Sequence, residues 1–240
     1  MYILETCKAG RTIEVRKMCV WGKRERGARR KKKQKPSTEE QLAANLKNAI
    51  RKLTRIINTN FGPEDYHLVL SYRKEEKPDS WEGMAADARE FLKKLRKEYK
   101  KQGLPWGYVR VMECGKRGAR HHHLVIKGIK PAIFRKCWTK GWVGCYPLDE
   151  SGQYKDLAAY FLKFTDEAVR AGILKHRWDS SKNLKQPEIH RVRVSRRYFR
   201  ATPKIEKGYY LDKDTVQEYV DANGNRQFSY TLIKIRGDTS

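Results

Sequence analysis

The sequence predicts an α+β protein with a central antiparallel sheet and helices mainly on one face. Long stretches with apolar residues at helical spacing are interleaved with apolar runs of strand length, and the last quarter of the chain is rich in β-branched and aromatic residues around turn signals. At 240 residues the chain is long enough to bury a substantial core, as one large or two small domains.

The elements follow in order. "TIEVRKMCVW" (12–21) alternates weakly and reads as a strand or hairpin arm. Residues 22–35, "GKRERGARRKKKQK", carry nine basic residues and one acid, too few apolar groups to form a core. This arm, with Arg29, Arg30, Lys31, Lys32 and Lys33 at its centre, is suited to lie along phosphates. "PSTEEQ" starts a helix, with Ser37 as cap and Glu40 reaching back to it. Leu42, Leu46, Ile50, Leu53 and Ile57 are its expected buried stripe, and Lys47, Arg51, Lys52 and Arg55 a wet basic face.

"NFGP" stops that helix, and "YHLVLSY" (66–72) has the length and composition of a central strand. A second helix is predicted from Asp79, which has Glu82 three residues on, to Gly103, burying Ala85, Ala88, Phe91, Leu92, Leu95 and Tyr99. "WGYVRVMEC" and "ARHHHLVIKG" make a hairpin across the turn "GKRG". A third helix begins at Asp156, buries Leu157, Phe161, Phe164 and Ala168, and stops at Gly172. "EIHRVRVSRRYFR", "VQEYV" and "QFSYTLIKI" read as further strands, extending the sheet or forming an appendage. The expected division is an N-terminal strand and basic arm (1–36), a core (37–175) and a β-rich C-terminal extension (176–240).

Composition narrows the function classes. Lys and Arg total 54 against 28 Asp and Glu, a net charge of +26 that calls for a polyanionic partner, with nucleic acid the first candidate. A membrane partner is not expected, since no run of eighteen apolar residues occurs and "MYILETCKAGR" lacks the regions of a signal peptide; a cytoplasmic protein is expected. The five cysteines form no CxxC pair, which points to free thiols rather than a disulfide framework or a four-thiolate zinc site.

Three of the six histidines stand together at 121–123. On a strand, His121 and His123 share one face and His122 points to the other. Glu113 joins the first two if the hairpin register sets it opposite either one; a shift by one residue puts it on the wrong side. Two imidazoles and a carboxylate suit a divalent ion such as Mn²⁺ or Mg²⁺, while the alternative is a polar edge strand with solvated histidines. On the third predicted helix, Asp156, Tyr160, Lys163 and Glu167 form a stripe beside the apolar one, with Tyr160 at the edge of the buried face. A tyrosine can attack phosphorus if its phenolate is favoured; the alternative is a packed core tyrosine. Trp106, Trp138, Trp142 and Tyr146 are candidates either to stack on unpaired bases or to pack in the core and turns.

"HLVLSY" (67–72), "RHHHLVI" (120–126) and "YFLK" (160–163) occur in the order and rough spacing of the three motifs of the HUH endonucleases, the rolling-circle replication initiators of phages, plasmids and single-stranded DNA viruses. The chain resembles that family, in particular the replication-associated proteins of bacterial phages and mobile elements. The resemblance extends to the basic arm, to the helix before the first motif and to "KGYYLDKDTVQEYV". It implies a ferredoxin-like, RNA-recognition-like core and a metal-dependent enzyme that nicks and rejoins DNA. His121 and His123 match the paired histidines, with His122 in a middle place that is usually hydrophobic. Glu113 is similar to the acidic third ligand, Tyr160 to the nucleophile and Lys163 to the lysine of the YxxK form.

With one tyrosine in that motif, and Tyr154 out of helical register, a paired-tyrosine mechanism is not implied. The implied substrate is single-stranded or hairpin origin DNA in a bacterial host cell, with Arg120 joining the basic arm in phosphate contact. No GxxxxGK[ST] loop occurs, so a host helicase and polymerase are the expected partners. An HUH transposase or relaxase uses the same chemistry, and a non-catalytic nucleic-acid-binding protein is the alternative from another class.

Overall fold

A computed structural model describes residues 1–19, 38–115, 118–196, 198–221 and 224–235, apart from the side chains of Phe164, Asp166 and Glu167. The basic run with Arg29, Arg30, Lys31, Lys32 and Lys33 lies outside the described residues. The elements are β1 (Tyr2–Ala9), β2 (Thr12–Cys19), α1 (Glu39–Asn60), β3 (Tyr66–Ser71), α2 (Trp81–Lys101), β4 (Tyr108–Cys114), β5 (Arg120–Ile126), α3 (Pro131–Cys137), β6 (Val143–Pro147), α4 (Lys155–Arg170), β7 (Asp179–Ser180), β8 (Glu188–Val194), β9 (Tyr209–Val220) and β10 (Arg226–Lys234). The fold class is α+β, built on two five-stranded antiparallel sheets in the orders β6-β3-β5-β4-β7 and β8-β1-β2-β10-β9.

The first sheet carries the motifs. From β3 to β6 the chain runs β-α-β-β-α-β with the spatial order β6-β3-β5-β4, the ferredoxin-like arrangement. Its two crossover helices, α2 and α3, lie on one face, where Phe91, Leu95, Tyr99 and Phe134 pack on Leu68, Leu70, Leu124 and Ile126. The helices as a whole do not favour one face, however. α1 and α4 cover the other, with Leu53, Ile57, Ala158, Phe161 and Leu162 against Val109, Val111 and Val125. The reason is visible in the strands: β4 and β5 are apolar on both sides, so both faces need a helical layer.

The N-terminal hairpin and the C-terminal strands come together in the second sheet, rather than the C-terminal strands extending the first. Its apolar face gathers Ile13, Val15, Phe228, Tyr230 and Leu232 around Phe199. Its other face meets α1 through ion pairs. Arg55 donates from Nε to Glu14 and from Nη2 to Glu5, each at 2.6 Å, and Arg51 Nε lies 3.0 Å from Glu14. The expected wet basic face of α1 is therefore corrected at Arg51 and Arg55, whose side chains are largely buried because Glu5 and Glu14 cover them. Burial alone would raise the Glu5 carboxyl, but hydrogen bonds from Arg55 and Arg191 hold it down at about 2.

Asn58 completes the junction, its amide donating to Thr12 and Gln153 and its carbonyl accepting from the Tyr154 N–H at the start of α4. The β1–β2 turn presses on the same point. A Cβ on Gly10, whose φ is +56°, would stand 1.9 Å from the Asn58 carbonyl oxygen, so only glycine fits.

Both helix caps fall one residue later than the sequence suggests. Thr38, paired with Gln41, caps α1 in a reciprocal box, and Ser80 caps α2 by accepting from the Gly83 N–H.

Candidate functional site

The β4–β5 register sets Glu113 opposite His121, Met112 opposite His122 and Val111 opposite His123. Glu113, His121 and His123 thus share the face covered by α4, the register the hairpin needed for all three to meet. The Glu113 Oε2 accepts from His123 Nε2 at 2.7 Å and lies 3.7 Å from His121 Nδ1.

His122 points to the opposite face and is fully buried there. Its Nε2 meets the Tyr72 hydroxyl at 2.8 Å and its ring stands edge-on to Trp138. Burial, then the nearby Arg110, depresses its pKa well below the usual histidine range, so it is a neutral core residue rather than a solvated one.

His67, on β3, enters this site through pairing that the sequence does not display. Val69 stands opposite His123 and His67 opposite Val125, so His67 faces the same way as the other two. Its Nε2 lies 3.3 Å from His123 Nδ1. With His123 Nε2 donating to Glu113, His123 Nδ1 accepts from His67 Nε2–H, a chain that fixes the plane of the His123 ring. Burial, reinforced by His123, pushes His67 down to about 4, which keeps it neutral near pH 7. On His123 burial pulls the pKa down and Glu113 opposes it, with a net lowering.

α4 brings the tyrosine. Phe161 is buried under the histidines, its ring centroid 5.3 Å from His67 and 5.7 Å from His123. That anchor leaves the preceding residue at the rim. Tyr160 is 44% exposed, with its ring perpendicular to His123 at 5.4 Å. Burial and the Glu113 charge both raise its phenol above the ordinary tyrosine value. Lys163 is exposed on the same helix, three residues on. Tyr154 is buried at the start of α4, its hydroxyl donating to the Asp149 carbonyl, and is not available as a second nucleophile. Arg120 lies on the His122 side of β5, its Nη2 donating to the Asp79 carbonyl just ahead of α2, so it is turned away from the face of His121 and His123.

Among the described residues no group of three or more His, Cys, Asp or Glu side chains stands as a finished metal cage. The donors of Glu113 and His123 are hydrogen-bonded to each other. The donor set is nevertheless of the right chemistry and size: separations of 2.7 and 3.7 Å bracket the edge of about 3 Å expected between neighbouring ligands of an octahedral ion with bonds of about 2.1 Å.

Comparison with curated proteins returned no match, and neither did comparison with solved structures. Residues 65–168 match the family model of the replication-associated protein ORF2. That stretch runs from just before β3 to near the end of α4 and holds Glu113, His121, His123, Tyr160 and Lys163; its similarity to replication-associated proteins supports a role in initiating replication.

Proposed function

We propose that the protein is a replication initiator endonuclease that nicks and rejoins single-stranded or hairpin origin DNA through a 5′-phosphotyrosine on Tyr160, starting rolling-circle replication. The observation that carries this reading is the convergence of two elements: the Tyr160 ring on α4 stands 5.4 Å from His123, whose Nε2 is tied to Glu113 on the paired strand.

The Tyr160 Oη attacks the scissile phosphorus in line. The bond from phosphorus to O3′ breaks, the phenol proton is lost, and O3′ takes up a proton to leave as a hydroxyl that can prime synthesis. Attack by that hydroxyl in the reverse sense restores the backbone and frees the tyrosine. His121, His123 and Glu113 would hold a divalent ion, Mn²⁺ or Mg²⁺, which when bound draws charge from the phosphate oxygens. Tyr160 begins as a poor nucleophile because burial and Glu113 disfavour its phenolate. A cation set against Glu113 removes the second of these effects, and Lys163 supplies positive charge to the phosphate or the phenol. The +26 chain attracts the backbone without regard to sequence. Host helicase and polymerase in the bacterial cytoplasm perform duplex opening and synthesis.

The test is incubation with labelled origin-like single-stranded DNA and Mn²⁺. A denaturation-resistant protein–DNA adduct that vanishes on chelation is expected. An adduct of equal yield in chelator refutes the metal role, and no cleavage of any single-stranded or hairpin origin probe refutes the nicking reading.

A further inference from the structure

Four aromatic residues had the option of stacking on bases, and the fold separates them. Trp138 is 3% exposed and donates its indole N–H to the Ser71 carbonyl, and Trp106 packs edge-on against Tyr99 and Tyr108. Both serve the core on the α2 side. Trp142 and Tyr146 are instead 59% and 49% exposed.

Their exposure is organised. Tyr146 and Gly144 on β6 stand opposite His67 and Val69 on β3, and Val69 stands opposite His123 on β5. Gly144 and Tyr146 therefore lie on the sheet face that carries His121, His123 and Glu113, and Trp142, two residues before Gly144, is turned the same way. Gly144 itself is buried beneath the two rings. A Cβ there would sit 2.6 Å from Trp142 Cη2 and 2.9 Å from Tyr146 Cε2, so a bare backbone position is what lets the rings lean together over the strand. From Tyr146 the aromatic surface continues inward: its ring is 6.0 Å from His67, and His67 is 6.4 Å from Tyr160.

We propose that Trp142 and Tyr146, meeting over Gly144, form a stacking platform for an unpaired nucleobase next to the scissile phosphate. The inference rests on the reading of Tyr160 as the nucleophile for single-stranded DNA and adds the site that holds the strand. Two large aromatic surfaces left in water beside a reaction centre, in a chain of net charge +26, match a flat apolar ligand carried on a polyanion. Stacking uses the face common to all bases, so the platform positions the strand in the site without selecting its sequence. With the base pinned, the adjoining phosphate is restricted to the neighbourhood of Tyr160, a gain in orientation rather than in chemistry.

The test is a double-mutant cycle between protein and DNA. Binding of origin-like single-stranded oligonucleotides is measured in a Tyr160→Phe background, which prevents turnover, with single abasic substitutions scanned through the nucleotides flanking the nick. Trp142→Ala is expected to weaken the intact oligonucleotide about 5- to 150-fold, the range for loss of one stacked base, while Trp142→Phe keeps most of the affinity. At one abasic position, the alanine variant and its parent should bind equally, because the partner of the ring is already gone. Equal weakening of intact and abasic DNA at every position, or no weakening of either, overturns the platform. Nicking by the otherwise unaltered protein, followed in parallel, separates the two ideas: a protein that nicks but shows no coupling refutes the platform alone, and one that neither binds nor nicks refutes the DNA reading on which it rests.

Discussion

Truncating His122 to alanine removes a fully buried imidazole from the α2 side of the sheet, where it meets the Tyr72 hydroxyl and the Trp138 ring. Leaving the hydroxyl without that partner costs about 1–3 kcal/mol, toward the lower end because the Asp87 carboxylate is also beside Tyr72. The void adds roughly 1–2 kcal/mol at about 24 cal/mol per Å³ of cavity. A loss of about 3 kcal/mol corresponds, at a urea dependence of about 2 kcal/mol per molar, to a midpoint lowered by about 1.5 M. His121 presents the opposite case. Its side chain is 31% exposed and its recorded contact is the distant one to Glu113, so His121→Ala should lower the midpoint by less than about 0.5 M.

The assay pairs urea denaturation followed by tryptophan fluorescence with adduct yield at a temperature where every variant is folded. His122→Ala should be less stable yet form adduct once folded, and His121→Ala stable yet deficient in adduct. His123→Ala should lose both, since that side chain is buried as well as hydrogen-bonded to Glu113. A folded His122→Ala without adduct, or a His121→Ala as unstable as His122→Ala, would refute the division of the strand into two faces with separate tasks.

Other consequences concern the supports of the site. Replacing His67 with phenylalanine should weaken Mn²⁺ binding about 10- to 100-fold in calorimetry with the fold intact, because the ring that orients His123 Nδ1 is lost; unchanged affinity would show that His67 only packs. Arg55→Met should destabilise the protein by about 3 kcal/mol in denaturant titration, since Glu5 is left almost fully buried with weaker partners. Stability should also fall as pH drops. Glu5 is held at about 2 against an ordinary 4.5, so its contribution of about 3 kcal/mol is complete above about pH 5 and is lost as pH falls toward 2. An Arg55→Met protein should show a shallower acid limb, and identical limbs would place the acid sensitivity elsewhere.

Local patterns were legible and distant pairings were not. The hairpin of β4 and β5 is closed by a short turn, so strand alternation sufficed to group His121, His123 and Glu113 and to turn His122 away. The position of Tyr160 at the rim of α4 follows from the apolar period that buries Phe161. The caps slipped by one residue because "PSTEEQ" satisfies the capping pattern twice, as Ser37 with Glu40 and as Thr38 with Gln41, and spacing alone does not choose. Arg55 read as a wet residue because polar residues on a helix usually are. Its partners Glu5 and Glu14 lie 50 and 41 residues away on strands of another sheet. His67 stayed unnoticed for the same reason, since its neighbour His123 is reached only through the β3–β5 pairing. The short α3 and β6 carry too few periods to be read from pattern, and with them went the meeting of Trp142 and Tyr146 over Gly144.

The most direct test of the central claim is to digest the DNA adduct formed in Mn²⁺ and locate the nucleotide by mass spectrometry. The account predicts a 5′-phosphorylated nucleotide on the Oη of Tyr160 and no adduct in Tyr160→Phe. Linkage to another side chain, such as Tyr146, or an adduct of undiminished yield in Tyr160→Phe would contradict it.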